Sequence, residues 1–167
     1  KITTFNLDEY YGISPEAPES YHYYMNYNFF NKINIKEENI YIPDGKTQNI
    51  KKHCTDYENE INNCGGIDLQ ILGIGSNGHI GFNEPGNKLN VHTSLVELSE
   101  ETIKANSRFF KSEVDIPQKA ISVGLATIMK AKRILLLASG KEKAKAIKDT
   151  ISGWIDTRVP SSLLQLH

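Results

Sequence analysis

The chain is short of everything that marks a metal-bound, secreted or membrane protein. Its only thiols are Cys54 and Cys64, separated by nine residues and outside any CxxC spacing. With no clustered histidines beside them, that spacing argues against a zinc site, and two cysteines do not make a disulfide framework. They read as reduced thiols of cytosolic type. Long apolar runs are missing too: Ile134–Ala138 is the longest, far short of a bilayer span. No signal-peptide pattern is read in these residues, and none is expected. Neither sign of charge prevails, with 19 Lys and Arg against 20 Asp and Glu. Without a net cationic field, general attraction to nucleic acid or an anionic membrane is not expected. Repeats and low-complexity tracts are absent.

What is present suits a single domain over residues 1–167. A chain of this length buries about 70% of its unfolded surface and needs no staple. It starts at Lys1, not Met, and directly in a strand-like segment, so the native N-terminus is expected to lie further upstream. Lys1–Phe5 reads as a strand, with Asn6-Leu7-Asp8-Glu9 at its end. An aromatic helix is expected from about Ser20 to Ile33, where Tyr23, Tyr27 and Phe30 recur at helical spacing as a core face. A polar helix over about Thr47–Asn63 should stop at Gly65-Gly66. Ile67–Ile74 is nearly all apolar, as a strand covered on both faces would be. Further strands are expected at Thr93–Leu98, Ala120–Val123 and Ala131–Ala138. Helices are expected at Ser99–Phe109 and Gly140–Ile151, with a last helical turn or two at Ser161–Leu166. Alternation of this kind predicts an α/β fold, a mostly parallel open sheet with helices on both faces. Ligands in such folds collect beyond the carboxyl ends of the strands. Asn6–Glu9, Gly75–Glu84 and Ser139–Lys143 are therefore the segments to search.

Gly73-Ile74-Gly75-Ser76-Asn77-Gly78 matches G-x-G-x-x-G after a strand. The dinucleotide fingerprint needs its third Gly to open a helix whose N-terminus holds pyrophosphate. Here His79-Ile80-Gly81-Phe82-Asn83-Glu84-Pro85-Gly86 follows, which is a loop, so a nicotinamide cofactor is not expected. The loop instead carries His79 and Glu84. Histidine shuttles protons near neutral pH, and a carboxylate within reach fixes its tautomer. The same pair is equally suited to capping turn backbone groups, and both readings stand at this point. Asp8, just past a strand, suits a general base or, alternatively, a turn cap. Lys143, in the first turn of a helix, is unfavourably placed unless an anion joins it, and Arg108 is a second candidate anion ligand. Lys104, Lys111 and Lys141 read as solvated surface.

Five stretches in order, Phe5-Asn6-Leu7-Asp8-Glu9-Tyr10, Pro18-Glu19-Ser20-Tyr21, Gly75 to Pro85, Ala105-Asn106-Ser107-Arg108-Phe109-Phe110 and Leu164-Gln165-Leu166-His167, resemble the glucosamine-6-phosphate deaminase (isomerase) family. The resemblance covers almost the whole chain and is most specific at Gly-Phe-Asn-Glu-Pro with its preceding Gly-His. It implies a Rossmann-like fold of the deaminase and phosphogluconolactonase type, incomplete at its ends, since family members begin with a further strand and phosphate loop and continue beyond His167. It implies conversion of glucosamine 6-phosphate to fructose 6-phosphate and ammonia in amino-sugar catabolism, in the cytoplasm, with no metal or organic cofactor. Carried over, Asp8 moves a proton between C2 and C1, and His79 assists ring opening with Asn77 and Glu84 as its hydrogen-bonded support. Arg108 and Lys143 become phosphate ligands, and residues 99–110 a lid.

Asn77 departs from the many members that carry Asp there, since an amide orients by hydrogen bonding but brings no negative charge. With its ends absent, the chain is expected to be weakly active or inactive by itself. Two rivals remain, a 6-phosphogluconolactonase-like hydrolase, which has no use for an enolising base at Asp8, and a sugar-phosphate-binding module without turnover. A sugar phosphate is the expected partner, nucleic acid and membrane are not, and a homo-oligomer is left open.

Overall fold

The computed structural model describes residues 2–110 and 116–167, and its chain divides into two compact units. Lys1 and Lys111, which enter the readings above, lie outside the described residues.

The first unit comprises Lys1–Tyr57 and Ser94–Ser122. Strand β1 (Thr4–Phe5) pairs in parallel with β3 (Ile40–Tyr41). The Phe5 and Tyr41 rings stack at 4.5 Å, and Tyr57 meets Phe5 edge-on at 5.9 Å. The Tyr57 hydroxyl donates to the carbonyls of Asn6 (2.8 Å) and Tyr41 (3.1 Å), so its polar end is satisfied while its ring fills the core.

Strand β2 (Asp8–Tyr10) lies antiparallel to β6 (Lys119–Ser122), which pairs antiparallel with β5 (Ser94–Glu97). Asp8 thus opens a strand of its own, opposite Ser122, instead of trailing from β1. Ala120 and Ile121 are wholly buried on the central strand; an isoleucine so placed contributes about 1.5–3 kcal/mol. The antiparallel ribbon adds to the expected parallel pairs. Its strands are too short for their hydrophobic pattern to reveal direction.

Helix α1 (Tyr21–Asn28) is capped by Ser20, whose hydroxyl accepts from the Tyr23 N–H at 2.9 Å. The core face expected of it is only partly there. Phe30, in the 3-10 turn that follows, is buried, but Tyr23 and Tyr27 are 39% and 64% exposed and stack on each other. His22, Asn26 and Asn28 interleave with the tyrosines, so the helix has no continuous apolar stripe to bury.

Helix α2 (Ile50–Asn63) contributes residues to both units. Cys54, Tyr57 and Ile61 are buried at helical spacing, and Gly65 and Gly66 end the helix at φ +87° and +82°, a conformation that favours glycine.

The second unit comprises Glu58–Thr93 and Val123–His167. Strand β4 (Gln70–Gly73) pairs in parallel with β7 (Ile134–Leu137). Gln70 and Leu72 are buried, whereas Ile71, Leu135 and Leu137 are about half exposed. The two-faced cover expected for Ile67–Ile74 is therefore not found in this chain: one face alternates out into solvent. Helix α4 (Leu125–Met129) and helix α5 (Ala144–Thr150) belong to this unit, and helix α3 (Glu100–Asn106) to the first. No helix among the described residues is long and apolar enough to cross a membrane. The parallel pairs and intervening helices make the chain an α/β protein.

Candidate active site

The loop after β4 brings three of the expected residues together. Its backbone folds tightly: Gly75 N–H donates to the His79 carbonyl (2.9 Å) and Gly78 N–H to the Gly75 carbonyl (3.1 Å). Gly78 sits at φ +86°, where an L side chain is strained. A β-carbon there would also stand 2.9 Å from Val159 Cγ1. Ser161 N–H bonds the Gly78 carbonyl at 2.9 Å, and the Ser161 hydroxyl meets Thr150 Oγ1 at 2.6 Å. The chain end thus clamps the loop from beneath. Downstream, the buried Asn83 amide donates to the carbonyls of Ile80 (3.0 Å) and Val123 (2.9 Å), which fixes the turn leading to Glu84.

Within this scaffold His79 Nδ1 faces Glu84 Oε2 at 3.4 Å, both side chains being largely buried. Asn77 joins them, with Nδ2 donating to Glu84 Oε2 at 3.0 Å and Oδ1 accepting from the His79 backbone N–H at 3.1 Å. Its amide therefore steadies the carboxylate and the peptide of the histidine, not the imidazole itself. The carboxylate lies beside the ring, a modest adjustment away from a hydrogen bond to the buried Nδ1.

Asp8 and Arg108 belong to the first unit and Lys143 to the second. The Asp8 carboxyl is pushed up to about 7, chiefly by burial and then by the charge of Glu9. Three phenols share its surroundings. Burial raises Tyr10 to about 12, and it raises Tyr21 and Tyr57 as well, with the Asp8 charge adding to each. Tyr10 stacks on Tyr21 at 5.2 Å, meets Phe110 edge-on at 5.7 Å and bonds the Asn106 side chain. The segment expected to be a lid is thus in contact with the strand that carries Asp8. Within it, Ser99 caps α3, and a 3-10 turn, Ser107–Phe109, presents Arg108 at the surface. Lys143 ends the 3-10 turn Lys141–Lys143 and stands at the N-cap position of α5 without a side-chain capping bond, half-exposed. Lys104 and Lys141 are exposed, as expected.

Two participants are not singled out by the sequence. Gly75 leaves room for the His79 ring: a β-carbon on it would fall well inside contact of ring Cε1 and Nδ1. Glu9, 2% exposed, accepts three backbone N–H bonds. The signal for Gly75 was its place in the Gly-rich run, and for Glu9 its adjacency to Asp8.

The model of the family "Glucosamine-6-phosphate isomerases/6-phosphogluconolactonase" matches residues 1–167. A glucosamine-6-phosphate deaminase of Halothermothrix orenii is 64% identical over all of this chain and 69% of its own length. Another, of Thermoanaerobacter pseudethanolicus, is 60% identical over 99% of this chain and 66% of its own. The chain thus spans about two thirds of the curated relatives it matches. A solved structure of a monomeric glucosamine-6-phosphate deaminase superposes with a TM-score of 0.96 at 48% identity, over 99% of this chain and 69% of that one. A 6-phosphogluconolactonase from Thermotoga maritima, at 23% identity and a TM-score of 0.72 over 96% and 66% of the two chains, shares the fold.

Proposed function

We propose a function from one premise: this chain belongs to the family of glucosamine-6-phosphate isomerases and 6-phosphogluconolactonases. Its activity is the isomerising deamination of glucosamine 6-phosphate, giving fructose 6-phosphate and ammonia. The observation that carries this reading is the Asp8 carboxyl, held near neutrality at about 7 by burial and by Glu9. A carboxyl so placed suits abstraction of a proton next to a carbonyl.

The steps follow from the substrate. His79, with Glu84 beside it, moves a proton at the ring oxygen so that the pyranose opens to the aldehyde. Asp8 then takes the proton from C2 and returns it to C1. Because C2 carries the amino group, that transfer, with a proton passing from the nitrogen to O1, leaves a C2=N bond and a C1 hydroxyl; the imine then adds water and expels ammonia. Each positioned proton transfer contributes about 10²–10⁴-fold. Arg108 and Lys143 are assigned to the phosphate, and 99–110 to a lid over the substrate. Lactone hydrolysis would leave Asp8 without a task. A phosphorylated sugar is a metabolite of the cytoplasm, where the free thiols Cys54 and Cys64 also fit, and the reaction belongs to degradation of amino sugars.

Ammonia release from glucosamine 6-phosphate, with Asp8→Asn as control, tests the reading. Turnover abolished by that change is the expected result. If the chain alone is silent, the assay is repeated with the flanking segments of a relative joined to it; silence there as well would overturn the assignment.

A further inference from the structure

The first-turn amides of a helix have no partners within the helix and need them from elsewhere. In α1, Ser20 supplies one, to Tyr23, and the two before it are met by a residue twelve and thirteen positions away. Glu9 Oε1 accepts from Tyr21 N–H at 3.0 Å and Oε2 from His22 N–H at 2.8 Å, while Oε1 also accepts from Tyr10 N–H at 2.9 Å. Three N–H donors occupy three of the carboxylate's lone-pair sites, in a side chain 2% exposed. Burial pushes the Glu9 carboxyl above its ordinary value, while these three hydrogen bonds and His22 pull it back down; ionised, it is favoured at that helix end by the exposed N–H dipoles.

We propose that Glu9 is a positioning residue: its buried carboxylate ties the first turn of α1 to β2 and so holds Asp8, the preceding residue on that strand, in place. The proposal rests on the role assigned to Asp8 above. Alternation along β2 sends Asp8 and Glu9 to opposite faces, so one anchors while the other is left for chemistry. The helix that Glu9 fastens carries Tyr21, which stacks on Tyr10. Pinning α1 therefore also fixes the aromatic wall beside Asp8. Desolvating a side chain that must stay charged is costly unless its hydrogen bonds are complete. A glutamine could not replace it, because its NH₂ would confront a backbone donor. The groups facing Asp8 and Glu9 are Tyr10 on β2, Tyr21 and His22 on α1, and Tyr57 on α2. Asp44 lines a small cavity together with Glu9 and His22.

Amide hydrogen exchange and carboxyl ¹³C titration of the full chain test this without needing turnover. In Glu9→Gln, exchange at Tyr21 and His22 is expected to speed up tenfold or more, while Tyr23, held by Ser20, is unchanged. The Asp8 midpoint moves down from about 7 as the neighbouring charge disappears. Unchanged protection at Tyr21 and His22, or an Asp8 midpoint that stays in place, would overturn the proposal. If Glu9→Gln does not fold, Glu9→Asp keeps the charge and withdraws the reach. Protection at Tyr21 and His22 should fall there too, and its retention would equally overturn the proposal. In an active form, the acidic limb of kcat/KM for Glu9→Gln shifts to lower pH. Exchange and titration behaving as expected in a protein with no deaminase activity would sink the functional reading alone.

Discussion

The imidazole of His79 lies directly against the α-carbon of Gly75, in the space a β-carbon would occupy. Gly75 does not need left-handed backbone, so alanine is conformationally allowed there and acts only by displacing the ring. Gly75→Ala is expected to swing His79 away from Glu84 and lower kcat by about 10²-fold or more, the range of one positioned acid–base group. The melting temperature should change little. Steady-state ammonia release beside thermal denaturation checks this, and full activity in a folded variant would contradict the placement of the ring.

Asp8 links activity to stability with opposite signs. Its folded-state value of about 7 lies above the ordinary 3.8, so between those two values the folded chain keeps a proton that the unfolded chain has released. Stability therefore falls as pH rises through that window. Asp8→Asn removes the effect. It should abolish turnover yet stabilise the fold by about 1–3 kcal/mol at pH 8, with a gain that vanishes near pH 4. Thermal unfolding of both proteins across that range is the measurement; a variant less stable at pH 8 would be incompatible with a strained, desolvated carboxylate.

How much of this was legible beforehand depends on the distance over which each feature is determined. The end of helix α2 was readable because the glycines after Cys64 are a local signal, whereas its buried side, Cys54, Tyr57 and Ile61, is set by what packs on it and was not singled out. The His79–Glu84 pair was readable as residue types on one Gly-rich loop, though not their approach to 3.4 Å. The exposure of Tyr23 and Tyr27 was not readable, since helical spacing of aromatics says which side they share and not what covers it. Glu9 was hidden for a related reason. Its partners, Tyr21 and His22, are met only through the fold, and a glutamate beside an aspartate in a sequence suggests solvent more readily than burial.

Glu58 offers a test of the second unit that has nothing to do with turnover. Burial alone would raise its pKa, but hydrogen bonds from Thr127 Oγ1 (2.7 Å), Thr93 Oγ1 (2.6 Å) and Thr93 N–H (2.8 Å) together hold it below the usual 4.5. Its contribution is thus fully present above pH 4.5 and is lost as pH falls through the lowered folded value. Thr127→Val removes one donor to a charged acceptor and should cost about 1–3 kcal/mol at pH 7. The cost should shrink under acid, as protonation weakens the remaining bonds in both proteins. Urea titrations at pH 7 and pH 3.5 distinguish this from a simple packing defect, whose cost would be the same at both.

Asn77 touches both members of the His79–Glu84 pair, and that geometry gives its replacement by aspartate a measurable consequence. Its Nδ2 donates to Glu84 at 3.0 Å while its Oδ1 accepts from the backbone of His79. Aspartate can perform only the second task. In Asn77→Asp the lost donor becomes a second carboxylate about 3 Å from the first, a repulsion of about 5 kcal/mol at an effective dielectric of about 20. The pair relieves it by sharing a proton, which restores a bond where the amide had been. Asn77→Asp should therefore lower the melting temperature more at pH 8, where that proton is hard to keep, than at pH 5, where it is readily held. Asn77→Ala, which loses both bonds but adds no charge, should show no such dependence. Equal losses for Asn77→Asp at the two pH values would mean that residue 77 and Glu84 do not meet as this geometry requires.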